Sequence, residues 1–413
     1  MALIERALTP SLREVLDDTR VAAILGPRQA GKSTLARTLL DGDRFRSYVT
    51  LDDQAVRDEA VADPDGFVAA LRRPAIIDEI QRAPNLMLAI KIVVDEDPRP
   101  GQFLITGSAN LLTQRGVADA LPGRAEYLRL WPLAQSELTG SATTLIDRLF
   151  AVDPPLLYDQ SPGLVAYADT IARGGFPDAH QRTAARRQGY FQSYVETLLG
   201  RDLRDVAAPQ LQTESVPRLL RLLAARSSEL ANFDSLARDL QYNPKTARDH
   251  TALLEQLFLV HRLRPWSGNL SQREVKSPKL FLTDSGMLCA LIGATSERLV
   301  RDGALGGRAT ETFAVNELLR QAGWCEQFLS GLWFYRDRDG REVDVVIETT
   351  DGRVVGVEIK AAASIGSSDT LGLRFLRERL GERFVAGAVL YTGRTTLPLG
   401  DRLWALPLSA LWS

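Results

Sequence analysis

One stretch constrains this chain more than any other. Gly26, Pro27, Arg28, Gln29, Ala30, Gly31, Lys32, Ser33 and Thr34 run in order and match the pattern G-x-x-x-x-G-K-[ST]. A polyphosphate needs many donors close together with no side chains in the way. Gly26 and Gly31 permit a tight loop whose backbone N–H groups face inward. The helix expected from Lys32 to Leu40 adds the positive end of its dipole. In such a loop Lys32 reaches the β- and γ-phosphates of ATP, and the Ser33 hydroxyl ligates Mg²⁺. The preceding run, Val21-Ala-Ala-Ile-Leu25, is the expected strand.

Hydrolysis needs more than a cradle. Ala75-Ile-Ile-Asp78-Glu79 is an apolar strand ending in two carboxylates. Asp78 suits the Mg²⁺ shell, and Glu79 suits polarising the attacking water. Phe103-Leu-Ile-Thr106-Gly-Ser108 is a further strand ending in hydroxyls. In a doubly wound sheet its end lies beside the γ-phosphate, where Thr106, Ser108 or Asn110 would orient the water. Arg124, in Leu121-Pro-Gly-Arg124, is a candidate arginine finger from this or a neighbouring subunit.

A chain of 413 residues corresponds to roughly two to four domains. The first region, to about Leu138, alternates short apolar runs (Val21–Leu25, Tyr48–Leu51, Ala75–Ile77, Phe103–Thr106) with helical stretches. That alternation predicts a parallel sheet covered by helices. Thr139–Thr144 and Asp153–Gly163 read as linker. A mostly helical region, 164–300, follows. Within it Phe233–Arg262 predicts a helix-turn-helix, with Asp234 or Ser235 capping the first helix and Asn243-Pro244 opening the second. A strand at Lys279–Thr283 would complete a winged-helix-like domain. Lys245, Arg248 and His250 stand near the start of the second helix, where a DNA groove would be met. The charges nearly cancel, at 50 Lys and Arg against 52 Asp and Glu, so any DNA or RNA site is a local patch. Cys289 and Cys325, the only cysteines, provide no disulfide framework and no thiolate metal site. With no signal pattern and no apolar run of spanning length, the expectation is a cytoplasmic protein without membrane contact, with a homo-oligomer open.

The third region, 306–413, predicts a helix at Ala309–Ala322, strands at Leu332–Arg336, Glu342–Glu348 and Val354–Lys360, a helix at Thr370–Leu380 and a strand at Val385–Tyr391. Thr349-Thr350-Asp351-Gly352 carries a hairpin signal. Alternation puts Glu358 and Lys360 on one face of their strand. Asp344 lies on the hairpin partner, and Glu311, or Glu317 in its place, on the preceding helix. Carboxylates binding a divalent metal beside a lysine are the hardware of phosphodiester cleavage. The pattern is similar to the PD-(D/E)xK nucleases, with Asp344, Glu358 and Lys360 matching the motif.

Taken together, the phosphate loop, Leu51-Asp-Asp53, Ile77-Asp-Glu-Ile-Gln81-Arg-Ala-Pro84, Leu104-Ile-Thr-Gly-Ser-Ala109 and Leu121-Pro-Gly-Arg124 through Trp131-Pro-Leu133 to Glu137 resemble the prokaryotic AAA-type ATPases joined to a DUF4143 domain. Arg173-Gly-Gly-Phe-Pro177, Tyr194 through Arg201-Asp202, and Phe281-Leu-Thr-Asp-Ser-Gly286 are similar to the second part of that family. The resemblance implies an α/β chain in three parts: a P-loop AAA-type parallel sheet over 1–140, a helical, winged-helix-like middle, and a nuclease-like α/β domain. The function expected is a Mg²⁺-dependent ATPase whose nucleotide state controls a nucleic-acid-binding, nuclease-like half. The alternatives are a nucleotide-gated DNA-binding regulator and an ATP-licensed nuclease.

Overall fold

The computed structural model describes residues 3–40, 44–108, 121–141, 143–151, 158, 161–203, 215–267 and 277–413. The chain divides into two compact units, Met1–Leu133 with Gln256–Phe258, and Ala134–Glu255 with Leu259–Ser413.

The first unit is built on five strands: β1 (Val21–Leu25), β2 (Ser47–Thr50), β3 (Ala75–Asp78), β4 (Phe103–Gly107) and β5 (Ala125–Arg129). Their order is β2-β3-β4-β1-β5, and every pairing is parallel. β1, β3 and β4 are buried along their whole length, which is why they read as continuous apolar runs. Ile24, Ile76 and Leu104 pack with Leu12, Leu16, Leu35 and Leu39 of the flanking helices into one core. β5 was not expected as a strand. It is a half-exposed edge, and Ala-Glu-Tyr-Leu-Arg carries too little apolar signal to announce itself. This order inserts β4 between β1 and β3. The register sets Leu25 opposite Gly107 and Ile77 opposite Ile105. The carboxyl ends of the three strands therefore meet at one place.

The second unit begins before the linker expected from sequence. Gln135–Thr139 is a helix, and Thr144, buried, caps the helix Leu145–Phe150. Most of the second expected linker stretch, Asp153–Gly163, falls outside the described residues. Helices at Leu164–Arg173, Ala184–Thr197 and Val216–Ala225 follow. Next comes the helix pair Phe233–Leu240 and Pro244–Gln256. The first of these is capped by Asn232, whose side chain accepts from the Ser235 amide at 2.9 Å, and not by Asp234 or Ser235. Asn243 caps the second, at 2.8 Å from the Thr246 amide.

An eight-stranded sheet then runs in the order β12-β13-β11-β10-β9-β8-β6-β7. Its strands are β6 (Val260–Pro265), β7 (Lys279–Leu282), β8 (Leu329–Arg336), β9 (Glu342–Thr349), β10 (Val354–Lys360), β11 (Phe384–Tyr391), β12 (Leu397–Gly400) and β13 (Leu403–Pro407). The expected third-region strands and second helix appear within three residues of their predicted bounds, the first helix begins six residues earlier than expected, at Gly303, and the β9–β10 hairpin turns at Gly352 with φ +86°. β6 pairs with both β7 and β8. The region expected as a middle domain thus shares its sheet with the region after 306.

The motifs Arg173–Pro177 and Phe281–Gly286 form one buried joint. Asp284 accepts from the Gly175 amide at 2.7 Å and the Met287 amide at 2.9 Å, and Arg320 approaches it at 3.3 Å. Arg320 also pairs with Glu317 at 2.5 Å, and Glu317 accepts from the Gln135 amide at 2.8 Å. Gly174 has φ +68°, and a Cβ there would stand 2.2 Å from Asp284. Arg320→Ala leaves two buried carboxylates without their cation, and loss of one partner of such a network costs about 3–5 kcal/mol. The urea midpoint of this unit is expected to fall accordingly; an unchanged midpoint would show that the network adds nothing to stability.

Candidate functional site

The loop Gly26–Gly31 leaves β1 and enters the helix Lys32–Leu40 as expected. Gly26 is forced: a Cβ would lie 2.1 Å from the Leu130 carbonyl oxygen. Gln29 and Gly31 have φ of +59° and +98°, the left-handed geometry that turns successive amides to one side. Arg6 braces the loop from outside, donating to the Ala30 carbonyl at 2.6 Å and the Trp131 carbonyl at 2.7 Å. Lys32 lies along the loop, its Nζ donating to the carbonyls of Gly26 at 3.0 Å and Pro27 at 2.9 Å. It is 3% exposed. Burial pushes its ammonium down to about 8, against the opposing pull of Glu79 and Asp78.

Asp78, at the end of β3, collects hydroxyls from three other elements. Ser33 Oγ donates to Oδ1 at 2.9 Å, Thr106 Oγ1 donates to the same oxygen, and Tyr48 Oη donates to Oδ2 at 2.8 Å. The Ser33 hydroxyl and Asp78 carboxylate are the hard oxygen donors that Mg²⁺ takes, and they are already in contact. The residues therefore fit the metal that the sequence implied. Glu79 follows in a left-handed conformation, φ +60°, which is uncommon for a residue other than glycine. Its amide donates to Thr106 Oγ1 at 3.1 Å. Its carboxylate is held by Ser108 Oγ at 3.1 Å and by Gln81 Nε2. Gln81 in turn reaches Ser108 Oγ at 2.9 Å. Thr106 and Ser108 thus position the two acids. Asn110, the other candidate for orienting water, lies outside the described residues.

Arg124 does not come to this site. It precedes β5, and its backbone carbonyl accepts from the Val21 amide, at the start of β1. That is the opposite end of the sheet from the loop, and its guanidinium is paired with Asp95. The expectation of an arginine finger acting on its own chain's loop is corrected by this placement. Sequence reading missed Arg6, Tyr48 and Gln81. Burial, with the Asp78 bond adding to it, pushes the Tyr48 phenol up to about 12, so it serves as a neutral donor.

In the second unit Glu311, Asp344, Glu358 and Lys360 line one cavity of about 800 Å³. Glu317, the alternative to Glu311, belongs to the buried joint with Arg320 instead. Lys279, which sequence reading had placed only as the start of a strand, stands among the acids. Its Nζ is 2.8 Å from Glu311, 2.6 Å from Glu342 and 3.0 Å from Asp344. Burial works against its charge, but the three carboxylates outweigh it and raise its pKa. One ammonium does not neutralise so many acids. Burial and the charge of Asp344 push Glu311 up to about 7 and Glu358 up to about 8. Lys360 pairs with Glu358 at 2.8 Å. The three acids are spaced around the Lys279 ammonium at hydrogen-bond distance, so this cluster as arranged does not fit the divalent cation expected for it.

Residues 18–139 match the AAA domain family, 165–298 a domain of unknown function (DUF8612) and 306–411 a domain of unknown function (DUF4143). The chain thus carries an AAA-type P-loop ATPase domain at its N-terminus and a DUF4143 domain at its C-terminus. Two curated relatives, the uncharacterized proteins Mb2031c of Mycobacterium bovis and Rv2008c of Mycobacterium tuberculosis, are each 28% identical over 98% of this chain and 84% of their own length. Among solved structures, the Walker-type ATPase PABY2304 of Pyrococcus abyssi is similar at 15% identity. It covers 70% of this chain and 96% of its own, with a TM-score of 0.43. A point variant of RuvB from Thermotoga maritima aligns at 16% identity over 62% of this chain and 86% of its own, with a TM-score of 0.29. No helix among the described residues is long and apolar enough to cross a membrane.

The lowered pKa of Lys32 has a measurable consequence. Bound phosphate favours the charged ammonium, which predominates below about pH 8 and is lost as the pH rises through that value. ATP affinity is expected to level off well below pH 8 and to weaken as the pH rises through and above it, by at most about tenfold per pH unit. Nucleotide titrations at a series of pH values check this, and an affinity that stays flat above pH 8 would contradict it.

Proposed function

We propose that this chain is a Mg²⁺-dependent ATPase whose nucleotide state controls a nucleic-acid-binding second half. The observation that carries the first part is the convergence of the Ser33, Thr106 and Tyr48 hydroxyls on Asp78, with Glu79 fixed beside it. The loop amides and Lys32 bind and orient the phosphates. Ser33 and Asp78 hold Mg²⁺, which when bound supplies positive charge to the phosphate oxygens. Asp78 keeps its orientation because Tyr48 and Thr106 hold it from two sides. Glu79 accepts the proton of the attacking water, and Ser108 and Gln81 keep its carboxylate in place. Lys32→Ala and Asp78→Ala are each expected to abolish measurable ATP turnover. Glu79→Gln is expected to retain ATP binding and lose about 10²-fold or more in kcat. A wild type that binds ATP but turns it over no faster than Lys32→Ala would instead be a nucleotide-gated binding protein.

The proposed nucleic-acid contact rests on the helix Pro244–Gln256. Lys245 and Arg248 are exposed near its start, and the Arg248 guanidinium lies over the Phe233 ring at 5.4 Å. His250, by contrast, is fully buried and belongs to the packing of the helix pair. Such a winged-helix-like segment would present the two cations to backbone phosphates of DNA or RNA. The double variant Lys245→Ala/Arg248→Ala is expected to weaken binding of duplex DNA or single-stranded RNA uniformly across sequences. It should also lower the salt dependence of log K by about one per phosphate contact removed. Unchanged anisotropy titrations would remove this helix from the interface.

A further inference from the structure

The acids of the C-terminal cavity resemble a metal centre in residue type, but their partners differ from those of a metal centre. Lys279 opens β7 and its side chain is 5% exposed. A primary ammonium has three N–H donors and no acceptor. Three carboxylate oxygens, from Glu311, Glu342 and Asp344, lie within 3.0 Å of Nζ, so the donors and acceptors match in number. The second Asp344 oxygen accepts from the Ile359 amide at 3.0 Å. Glu358 gives one oxygen to Lys360. A Mg²⁺ ion demands oxygens at about 2.0–2.1 Å in octahedral array. Oxygens spaced around a nitrogen at hydrogen-bond distance cannot close on a metal while that nitrogen stands between them. Glu358 Oε2 is buried and without a hydrogen-bond partner among the described residues, and one such carboxylate oxygen is too few ligands for a divalent site.

We propose that the Lys279 ammonium stands permanently in place of a divalent cation, which makes this cavity a metal-independent binding site and not a metal-dependent phosphodiesterase. Lys279 also lies over the Phe334 ring at 5.7 Å, a contact that favours a monovalent organic cation over a hydrated metal. Arg336 and Arg341 line the same cavity beside Glu358. This inference does not depend on ATP hydrolysis and holds whether or not the N-terminal site turns over.

The test is Mn²⁺ binding to the full chain without nucleotide, followed by electron paramagnetic resonance. Metal held at the phosphate loop is identified by its loss in Asp78→Asn, and metal held in the C-terminal cavity by its loss in Asp344→Asn. Wild type is expected to show no Asp344-dependent Mn²⁺ and no Mn²⁺-dependent cleavage of DNA or RNA. Lys279→Ala, which frees the three carboxylates, is expected to gain about one equivalent of Asp344-dependent Mn²⁺ and to melt at a higher temperature with Mn²⁺ than without. Asp344-dependent Mn²⁺ in the wild type, or cleavage abolished by Glu358→Gln, would overturn the proposal. So would a folded Lys279→Ala protein that gains no metal. If Lys279→Ala does not fold even with Mn²⁺, the comparison of wild type with Asp344→Asn decides alone.

Discussion

A buried carboxylate held by hydroxyls organises the N-terminal unit. Asp78 is 4% exposed, and leaving such a group unpaired in a dry environment would cost far more than any one contact near it supplies. Three hydroxyls satisfy it, from the helix Lys32–Leu40, from β4 and from β2. Each comes from a different segment, so the bonds form only when β2, β3 and β4 are paired in register and the loop is closed against them. The loop depends on the same arrangement: Gly26 must sit against Leu130, and Arg6 must reach both Ala30 and Trp131. The sheet order is therefore what builds the site, because it brings three strand ends together that lie far apart in sequence.

Glu79 gains its geometry from the same source. Its left-handed backbone is over-determined by the Thr106 bond to its amide and the Ser108 and Gln81 bonds to its carboxylate. Strain at a non-glycine residue persists only where the surroundings enforce it. Here they enforce a direction for one carboxylate beside another, and the two acids are kept apart in role because one is held by hydroxyls and the other by an amide and a serine.

The local part of this was legible in sequence. β1, β3 and β4 are apolar without interruption because both faces are covered, and the loop pattern carries its own backbone requirements. What was not legible is what pairing creates. Tyr48 sits in an expected strand, yet nothing in its neighbours says that β2 will lie against β3. β5 escaped notice because an edge strand exposed on one side has little apolar content. In the second unit Glu311 and Glu317 are six residues apart on one helix, which turns them about 120° from each other. Sequence alone left both open, and one faces the cavity while the other joins Arg320. Lys279 offered one signal that went unused: a lysine opening a strand otherwise buried throughout needs an anionic partner, and the only question was which.

The two units meet the same difficulty, carboxylates removed from water, with different chemistry. Neutral hydroxyls around Asp78 stabilise its charge without cancelling it, so the charge remains for a cation that arrives with the phosphates. An ammonium inside the C-terminal cluster offsets part of the acids' charge at close range, and a hydrated divalent ion cannot displace it without leaving Lys279 buried and unpaired. Residue type alone therefore does not separate a metal site from one occupied by an ammonium. The deciding quantity is whether the partners of the acids are dipoles or a full positive charge, and on that ground Asp78 is open to a metal and Asp344 is not.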